Sequence, residues 1–205
     1  MIEYSGLALE TAMEVYEPSD DSFLAADFVQ EYLDRLGKGG ITAIDIGTGT
    51  GILGLVAARS KKVRSMVLSD IDPKAVSLAL SNYRRNREHV AAECSFVKSD
   101  MFSEINGCFD MIIFNAPYLR HEEKAGSGGG WWDGGPNGIE VSKRFLAEAV
   151  GHLSRAGVVF LVYSSLGAVG NLKAAINDLG MCEVNSRSLH LFFEDIVVSM
   201  LSCTH

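Results

Sequence analysis

The sequence has no apolar run that approaches a membrane span. Its longest are strand-length, such as AGVVFLVY at 156–163, against the roughly 20 residues that a bilayer helix needs. It also has no CxxC pair. The four cysteines (Cys94, Cys108, Cys182 and Cys203) are scattered, and the five histidines form no ligand pattern. Neither a disulfide framework nor a metal site can be read from such spacing, so no metal is expected and the cysteines read as reduced, in a cytoplasmic protein. An excess of positive charge is missing too: 18 Lys and Arg stand against 26 Asp and Glu, a formal net charge of −8. That argues against stable, non-specific nucleic-acid binding, in which basic side chains neutralise phosphates. Docking on a protein stays open. The N-terminal MIEYSGLALE lacks the basic start and apolar core of a signal peptide. There is no low-complexity tract, repeat or interdomain linker. What remains is 205 residues, nearly half of them apolar, which fits a single domain over 1–205 with a substantial core.

The pattern along the chain alternates. The first 40 residues read as a loop followed by a helix. Pro18 and Ser19 give the start signal, Asp20 and Asp21 fall in the first turn where the helix dipole favours negative charge, and Phe23, Leu24, Phe28, Tyr32 and Leu36 make an apolar stripe. From Ile41, strands (ITAIDI, VRSMVLS, CSFVKS, FDMIIF, AGVVFLVY) alternate with helices (GILGLVAARS, PKAVSLALSNYRRN, IEVSKRFLAEAVGHL, AVGNLKAAINDLG). Such alternation predicts an α/β fold, a mostly parallel seven-stranded sheet with helices on both faces. Two late strands, MCEVNSRSLH and FFEDIVVSML, have no helix between them. They predict a hairpin and an antiparallel last strand.

The chemistry gathers at strand ends. The first strand of the alternation runs into DIGTGTGILG, with Gly47, Gly49, Gly51 and Gly54 before a helix. Glycines there let a ligand approach the backbone closely. Gly49 to Gly54 spells G-x-G-x-x-G, a dinucleotide fingerprint that is weak by itself. Asp70 ends the next strand, where its carboxylate can accept both hydroxyls of a ribose; Asp72, before Pro73, reads as a helix cap. Asp100 ends the third, placed to accept an exocyclic amino group of adenine with Met101 and Phe102 against the ring. Asp45 stands two residues before Gly47. It would repel a pyrophosphate and attract a methionine ammonium group, which favours S-adenosylmethionine over a nicotinamide dinucleotide.

The fourth strand ends in Asn115-Ala116-Pro117-Tyr118. A turn needs no such set. The following stretch, 121–138, holds many glycines and both tryptophans, too many residues for a passive connection, and reads as a substrate-gripping loop. Arg84, Arg85 and Arg87 fall near a helix C-terminus, where dipole complementarity on a solvated face explains them.

Taken together, VYEPSDDSF, DIGTGTG, LSDIDPKAV, VKSDMF, FNAPYL and GGPNGIEVSKRFL resemble the HemK-like release-factor glutamine methyltransferases, class I S-adenosylmethionine enzymes with a Rossmann-like fold. The stretch before the sheet is similar to that of the short archaeal or eukaryotic form. The resemblance implies that Ser22, Asp45, Gly47, Gly49, Gly51, Asp70, Asp100, Met101 and Asn115 contact S-adenosylmethionine. It implies that Asn115, Ala116, Pro117 and Tyr118 hold the substrate amide, that the substrate is the glutamine of the Gly-Gly-Gln loop of a class I release factor, and that a small zinc-binding activator pairs along a sheet edge. The family motif is usually Asn-Pro-Pro-Tyr; Ala116 departs from it but keeps a carbonyl and, preceding Pro117, is still biased to extended geometry, so function is expected to be retained.

Two other readings share some of these features. An adenine-N6 or similar amino methyltransferase acting on nucleic acid would use the same Asn-x-Pro-Tyr chemistry, and a protein lysine is a further acceptor. A nicotinamide oxidoreductase would use the G-x-G-x-x-G stretch but leaves Asp45, Asp100 and Asn-Ala-Pro-Tyr unexplained.

Overall fold

In chain order, the computed structural model has strands β1 (Ile2–Tyr4) and β2 (Leu7–Leu9), helix α1 (Asp20–Arg35), β3 (Ile41–Ile46), α2 (Ile52–Ala58), β4 (Val63–Asp70), α3 (Pro73–Arg85), β5 (Glu93–Lys98), β6 (Phe109–Asn115), α4 (Glu140–His152), β7 (Leu153–Ser164), α5 (Val169–Asp178), β8 (Met181–Leu191) and β9 (Glu194–Cys203). It describes residues 1–120 and 133–204. Most of the Gly/Trp-rich stretch, 121–132, lies outside the described residues.

The seven-stranded sheet has the order β5-β4-β3-β6-β7-β9-β8. The first five of these strands run parallel; β9 runs antiparallel to both β7 and β8. This is the expected topology, hairpin included. The apolar runs are continuous because both faces are covered. Along β3, β6 and β7, Ala43, Met111, Ile113, Phe160 and Val162 face one core with α1, α2 and α3. Their neighbours Ile44, Ile112, Phe114, Leu161 and Tyr163 face a second core with Phe145 and Leu146 of α4 and Leu172 of α5. Each of the Val, Leu, Ile, Met and Phe side chains among them contributes roughly 1.5–3 kcal/mol by leaving water. The result is a rigid sheet whose parallel strands end along one edge.

The first ten residues are a correction. They were expected as a loop but form the small hairpin β1–β2, held by two asparagines, Asn82 in the last turn of α3 and Asn86 at its C-cap. Asn86 accepts from the Ala8 N–H (2.9 Å) and donates to the Ala8 carbonyl (2.9 Å). Asn82 accepts from the Glu10 N–H (2.7 Å) and donates to the Glu10 carbonyl (3.0 Å). Positions i and i+4 of a helix lie about 6 Å apart along its axis, and i and i+2 of an extended chain about 6.6 Å. The two amides therefore match every second residue of the strand and act as its missing neighbour. Asn82 also donates to the carbonyl of Thr50 in the glycine turn (2.9 Å). Arg85, read as solvated, pairs with Glu10 on the same surface.

The chain after β6 is braced by glycines that sequence alone did not explain. A Cβ on Gly134 would stand 2.7 Å from the Pro117 carbonyl oxygen, and one on Gly138 2.5 Å from that of Tyr118. Gly138 is also left-handed, φ +71. GGPNG is thus the backbone bed on which Pro117 and Tyr118 lie. Gly138→Ala combines a left-handed penalty of roughly 1–2 kcal/mol with that clash. It is expected to lower the melting temperature by about 4 °C or more in a domain of this size, measured by thermal unfolding.

Candidate active site

A cavity of about 920 Å³ opens at the carboxyl edge of the sheet, lined by the glycine turn, the ends of β4 and β6, the start of α1 and the start of β9. Small-molecule sites span about 300–1,000 Å³, so there is room for a nucleoside-sized ligand and part of a second substrate.

The turn after β3 is left-handed at Gly47 (φ +62), Gly49 (φ +56) and Gly51 (φ +88). Side chains there would be strained, and one on Gly47 would crowd the Phe114 ring at 3.2 Å. Asp70 locks the turn from below: Oδ2 accepts from Gly49 N–H (3.0 Å) and Oδ1 from Asp72 N–H (3.0 Å). Burial raises its carboxyl above the usual range. Asp72 caps α3 through Lys74 N–H at 2.9 Å, as expected. Asp45 is turned inward. Its Oδ2 accepts from Thr48 Oγ1 (2.6 Å) and Gly54 N–H (2.9 Å), so it staples the turn to α2 while still lining the cavity. At 1 % exposure, burial is the main cause that pushes its carboxyl up to about 7.

Asp100 and Met101 lie on the next wall. Met101 is left-handed, φ +49, and its carbonyl accepts from Ser99 Oγ (2.8 Å). Asp100 is not free: Arg144 of α4 forks onto both of its oxygens, at 3.0 Å each.

The far wall holds Asn115 at the end of β6, and here a buried carboxylate organises everything. Asp21 Oδ1 accepts from Tyr16 OH (2.7 Å), Ser19 Oγ (3.1 Å), Ser22 N–H (2.6 Å) and Ser22 Oγ (3.1 Å). Its Oδ2 accepts from Asn115 Nδ2 (3.1 Å) and Tyr118 OH (3.0 Å). Asn115 Nδ2 also donates to Ser22 Oγ (3.3 Å). A carboxylate in this role only accepts, so the Asn115 amide must present its nitrogen to Asp21. That leaves Oδ1 pointing the other way, buried and without a partner among the described residues. A buried acceptor without a donor costs free energy, and here it awaits one. Burial first, and then Asp21, raise the hydroxyl pKa values of Tyr118 and Tyr16, which therefore stay donors.

Of the residues singled out in the sequence, Ser22, Asp45, Gly47, Gly49, Asp70, Asp100, Met101 and Asn115 to Tyr118 line the cavity. Gly51 sits behind it against Ala79 of α3, and Gly54 packs on Leu68. Phe102, expected against the adenine ring, is instead buried in the second core, stacked on Phe145 and His152, because its apolar ring gains more there than at an open rim. Ser22 stands at the Asn115 end. Asp21, Tyr16 and Arg144 were missed. Asp21 lay inside VYEPSDDSF but was read as a first-turn acid satisfying the helix dipole.

Residues 25–188 match the family model for the Methyltransferase small domain. The chain belongs to that family. This methyltransferase is 35% identical over 201 residues to a Methanocaldococcus jannaschii protein named as a protein N5-glutamine methyltransferase, covering 97% of this chain and 96% of that one. It is 33% identical to mouse Methyltransferase HEMK2, over 73% of this chain and 71% of the other. Among solved structures, a Pyrococcus furiosus methyltransferase superimposes with a TM-score of 0.69 at 20% identity, covering 98% of this chain and 91% of that chain. Mtq2 from the E. cuniculi Mtq2–Trm112 complex does so with a TM-score of 0.65 at 20% identity, covering 94% and 100%. At such identities the likeness carries the class I methyltransferase fold alone.

The donor of this family is S-adenosylmethionine, and the cavity fits it. Eight lining residues are Asp or Glu, and Arg144 is the one Lys or Arg among those described. A ligand with a sulfonium and an ammonium is attracted to such a wall, and a pyrophosphate is repelled, which removes the oxidoreductase reading. Asp45 supplies a test. A carboxyl whose folded pKa lies above its unfolded value stabilises the fold below the unfolded pKa and loses that contribution as pH rises through about 7. Asp45→Asn removes the buried charge. It is expected to raise the melting temperature of the ligand-free enzyme by more at pH 8 than at pH 5, while weakening S-adenosylhomocysteine binding at pH 8 by calorimetry.

Proposed function

We propose that the chain, acting as one methyltransferase unit over residues 1–205, transfers a methyl group to a protein glutamine, the glutamine of the Gly-Gly-Gln loop of a class I release factor. The orphaned, buried Asn115 Oδ1 carries this reading. It calls for an N–H donor presented by a substrate, and a primary amide supplies two. The Ala116 carbonyl, next along the strand exit, would take the second.

An amide nitrogen is a poor nucleophile because its lone pair is delocalised into the carbonyl. Bound S-adenosylmethionine supplies an activated methyl group. The chain's own residues supply orientation and charge. Asn115 Oδ1 and the Ala116 carbonyl grip the amide hydrogens and strengthen as those hydrogens become acidic during attack, which is stabilisation specific to the transition state. Tyr118, tied to Asp21 by its hydroxyl, sets the angle of the amide plane. Holding the two reactants in line contributes proximity. The carbon–nitrogen bond forms as the carbon–sulfur bond breaks, and the proton leaves the methylated amide afterwards, so no strong base is required.

The acid-lined wall favours this acceptor over the alternatives. A lysine would be held there as an ammonium, without a lone pair to attack. A nucleic-acid base would bring phosphates to an acidic rim and would have to be extruded from its strand. Relatives named as protein N5-glutamine and release factor glutamine methyltransferases support the same substrate. The solved Mtq2–Trm112 complex supports a partner subunit, which the family resemblance makes a small zinc-binding activator. No helix among the described residues is long and apolar enough to cross a membrane; with four free cysteines, the proposed setting is the cytoplasm.

Incubation with labelled S-adenosylmethionine and a class I release factor, with and without the zinc-binding partner, should place one methyl group on the Gly-Gly-Gln peptide by mass spectrometry. An unlabelled peptide under both conditions would sink the assignment. Asn115→Ala removes one transition-state acceptor and is expected to lower kcat about 10²–10³-fold with S-adenosylhomocysteine affinity within about threefold. Asp21→Asn puts an N–H2 group among the donors that Asp21 accepts from, so the Asn115 amide is no longer held in one orientation. A loss of kcat of about 10² with intact cofactor affinity is expected; unchanged kcat would remove Asp21 from this role.

A further inference from the structure

We infer that Arg144 is a positioning residue: its guanidinium fork fixes the Asp100 carboxylate in the orientation that reads the exocyclic amino group of the cofactor's adenine. The inference rests on the reading of Asp100 as the adenine acceptor and adds what makes that acceptor selective.

The segment around Asp100 is held by its backbone. Ser99 Oγ donates to the Met101 carbonyl (2.8 Å), Glu148 accepts from Phe102 N–H (3.3 Å), and the Phe102 ring stacks on His152, with centroids 4.5 Å apart. These contacts fix a left-handed Met101 (φ +49), a conformation that a side chain-bearing residue adopts only when its surroundings impose it. None of them restrains the side chain of Asp100. Arg144 does. Its two terminal nitrogens meet the two oxygens of Asp100 at 3.0 Å each, and its Nε is held by Glu148 at 3.1 Å. All three guanidinium nitrogens are engaged, so the fork is itself aimed.

Asp100 and Arg144 are about half exposed, 45% and 53%. As a contribution to folding, such a pair is worth little. Its value is geometric. A two-point fork fixes the carboxylate plane, which one point charge cannot do, and each oxygen keeps a second lone pair for a further donor. An adenine amino group can then donate to Asp100 without displacing Arg144. A hypoxanthine, with an oxygen at that position, would set acceptor against acceptor. A carboxylate free to rotate would avoid that clash, and one that is held cannot.

The experiment is calorimetric binding of S-adenosylhomocysteine and S-inosylhomocysteine to the intact enzyme, to Arg144→Met and to Arg144→Lys, with thermal unfolding as a check on folding. Arg144→Met is expected to cut the adenosine-over-inosine preference at least tenfold, mainly by weakening S-adenosylhomocysteine. Arg144→Lys keeps the charge without the fork and is expected to recover less than a third of the lost preference. A merely structural residue would weaken both ligands alike. The inference is overturned by an unchanged preference in Arg144→Met, by tighter S-adenosylhomocysteine binding in that variant, or by full recovery in Arg144→Lys. If Asp100→Ala keeps the wild-type preference, the reading of Asp100 itself fails, whatever Arg144 does.

Discussion

A carboxylate in this role has no proton to donate, and the acceptor side of this site follows from that. Asp21 is surrounded by donors from α1, from the segment before it and from the end of β6. With an acceptor-only group at the centre, the orientation of each surrounding side chain is decided. Asn115 must turn its nitrogen inward, Tyr118 must point its hydroxyl inward, and the oxygen left outside is the one that a substrate amide can use. A single neutral substitution at the hub would restore the two-fold ambiguity that every asparagine side chain has.

The other half of the site is built on a different constraint, the crowding of negative charge. Asp45 is buried and Asp70 half-buried beside the glycine turn, and burial raises both carboxyls. Their hydrogen bonds to backbone N–H groups offset part of that cost and at the same time shape the turn. The ligand-free enzyme therefore carries strain that a cationic ligand relieves. A wall made stable by neutral residues would have less to gain from the sulfonium and ammonium, and less means to discriminate against phosphates. The Asp100–Arg144 pair sits at the rim of this field, where water screens it, and there shape matters more than charge.

Much of this was legible in the sequence, for identifiable reasons. Buried parallel strands write continuous apolar runs, and the residue that ends each run is marked by contrast, so Asp45, Asp70, Asp100 and Asn115 could be located from the pattern. The glycine turn was visible because three left-handed positions leave little other choice. The fold followed from alternation and from the missing helix between β8 and β9. Asp21 was illegible for the opposite reason: an acid in the first turn of a helix already has a sufficient local explanation, and only the approach of β6, 94 residues later, gives it another. Arg144 looks like any surface arginine on an amphipathic helix. The β1–β2 hairpin has strands too short to leave a period, and its partners are side chains of a helix, which no pairing pattern records.

The two asparagines that stand in for a neighbouring strand have a consequence for the order of assembly. The hairpin leaves the ribosome before α3 does, yet its polar edge is satisfied by Asn82 and Asn86, 72 to 78 residues further along. Contacts of such separation form late because loop closure precedes their reward. The segment that follows the hairpin carries Tyr16 and Asp21. The glycine turn and strand-end acids can therefore assemble from local βα units ahead of the proposed acceptor side, whose Tyr16 and Asp21 are seated once the hairpin has docked on Asn82 and Asn86.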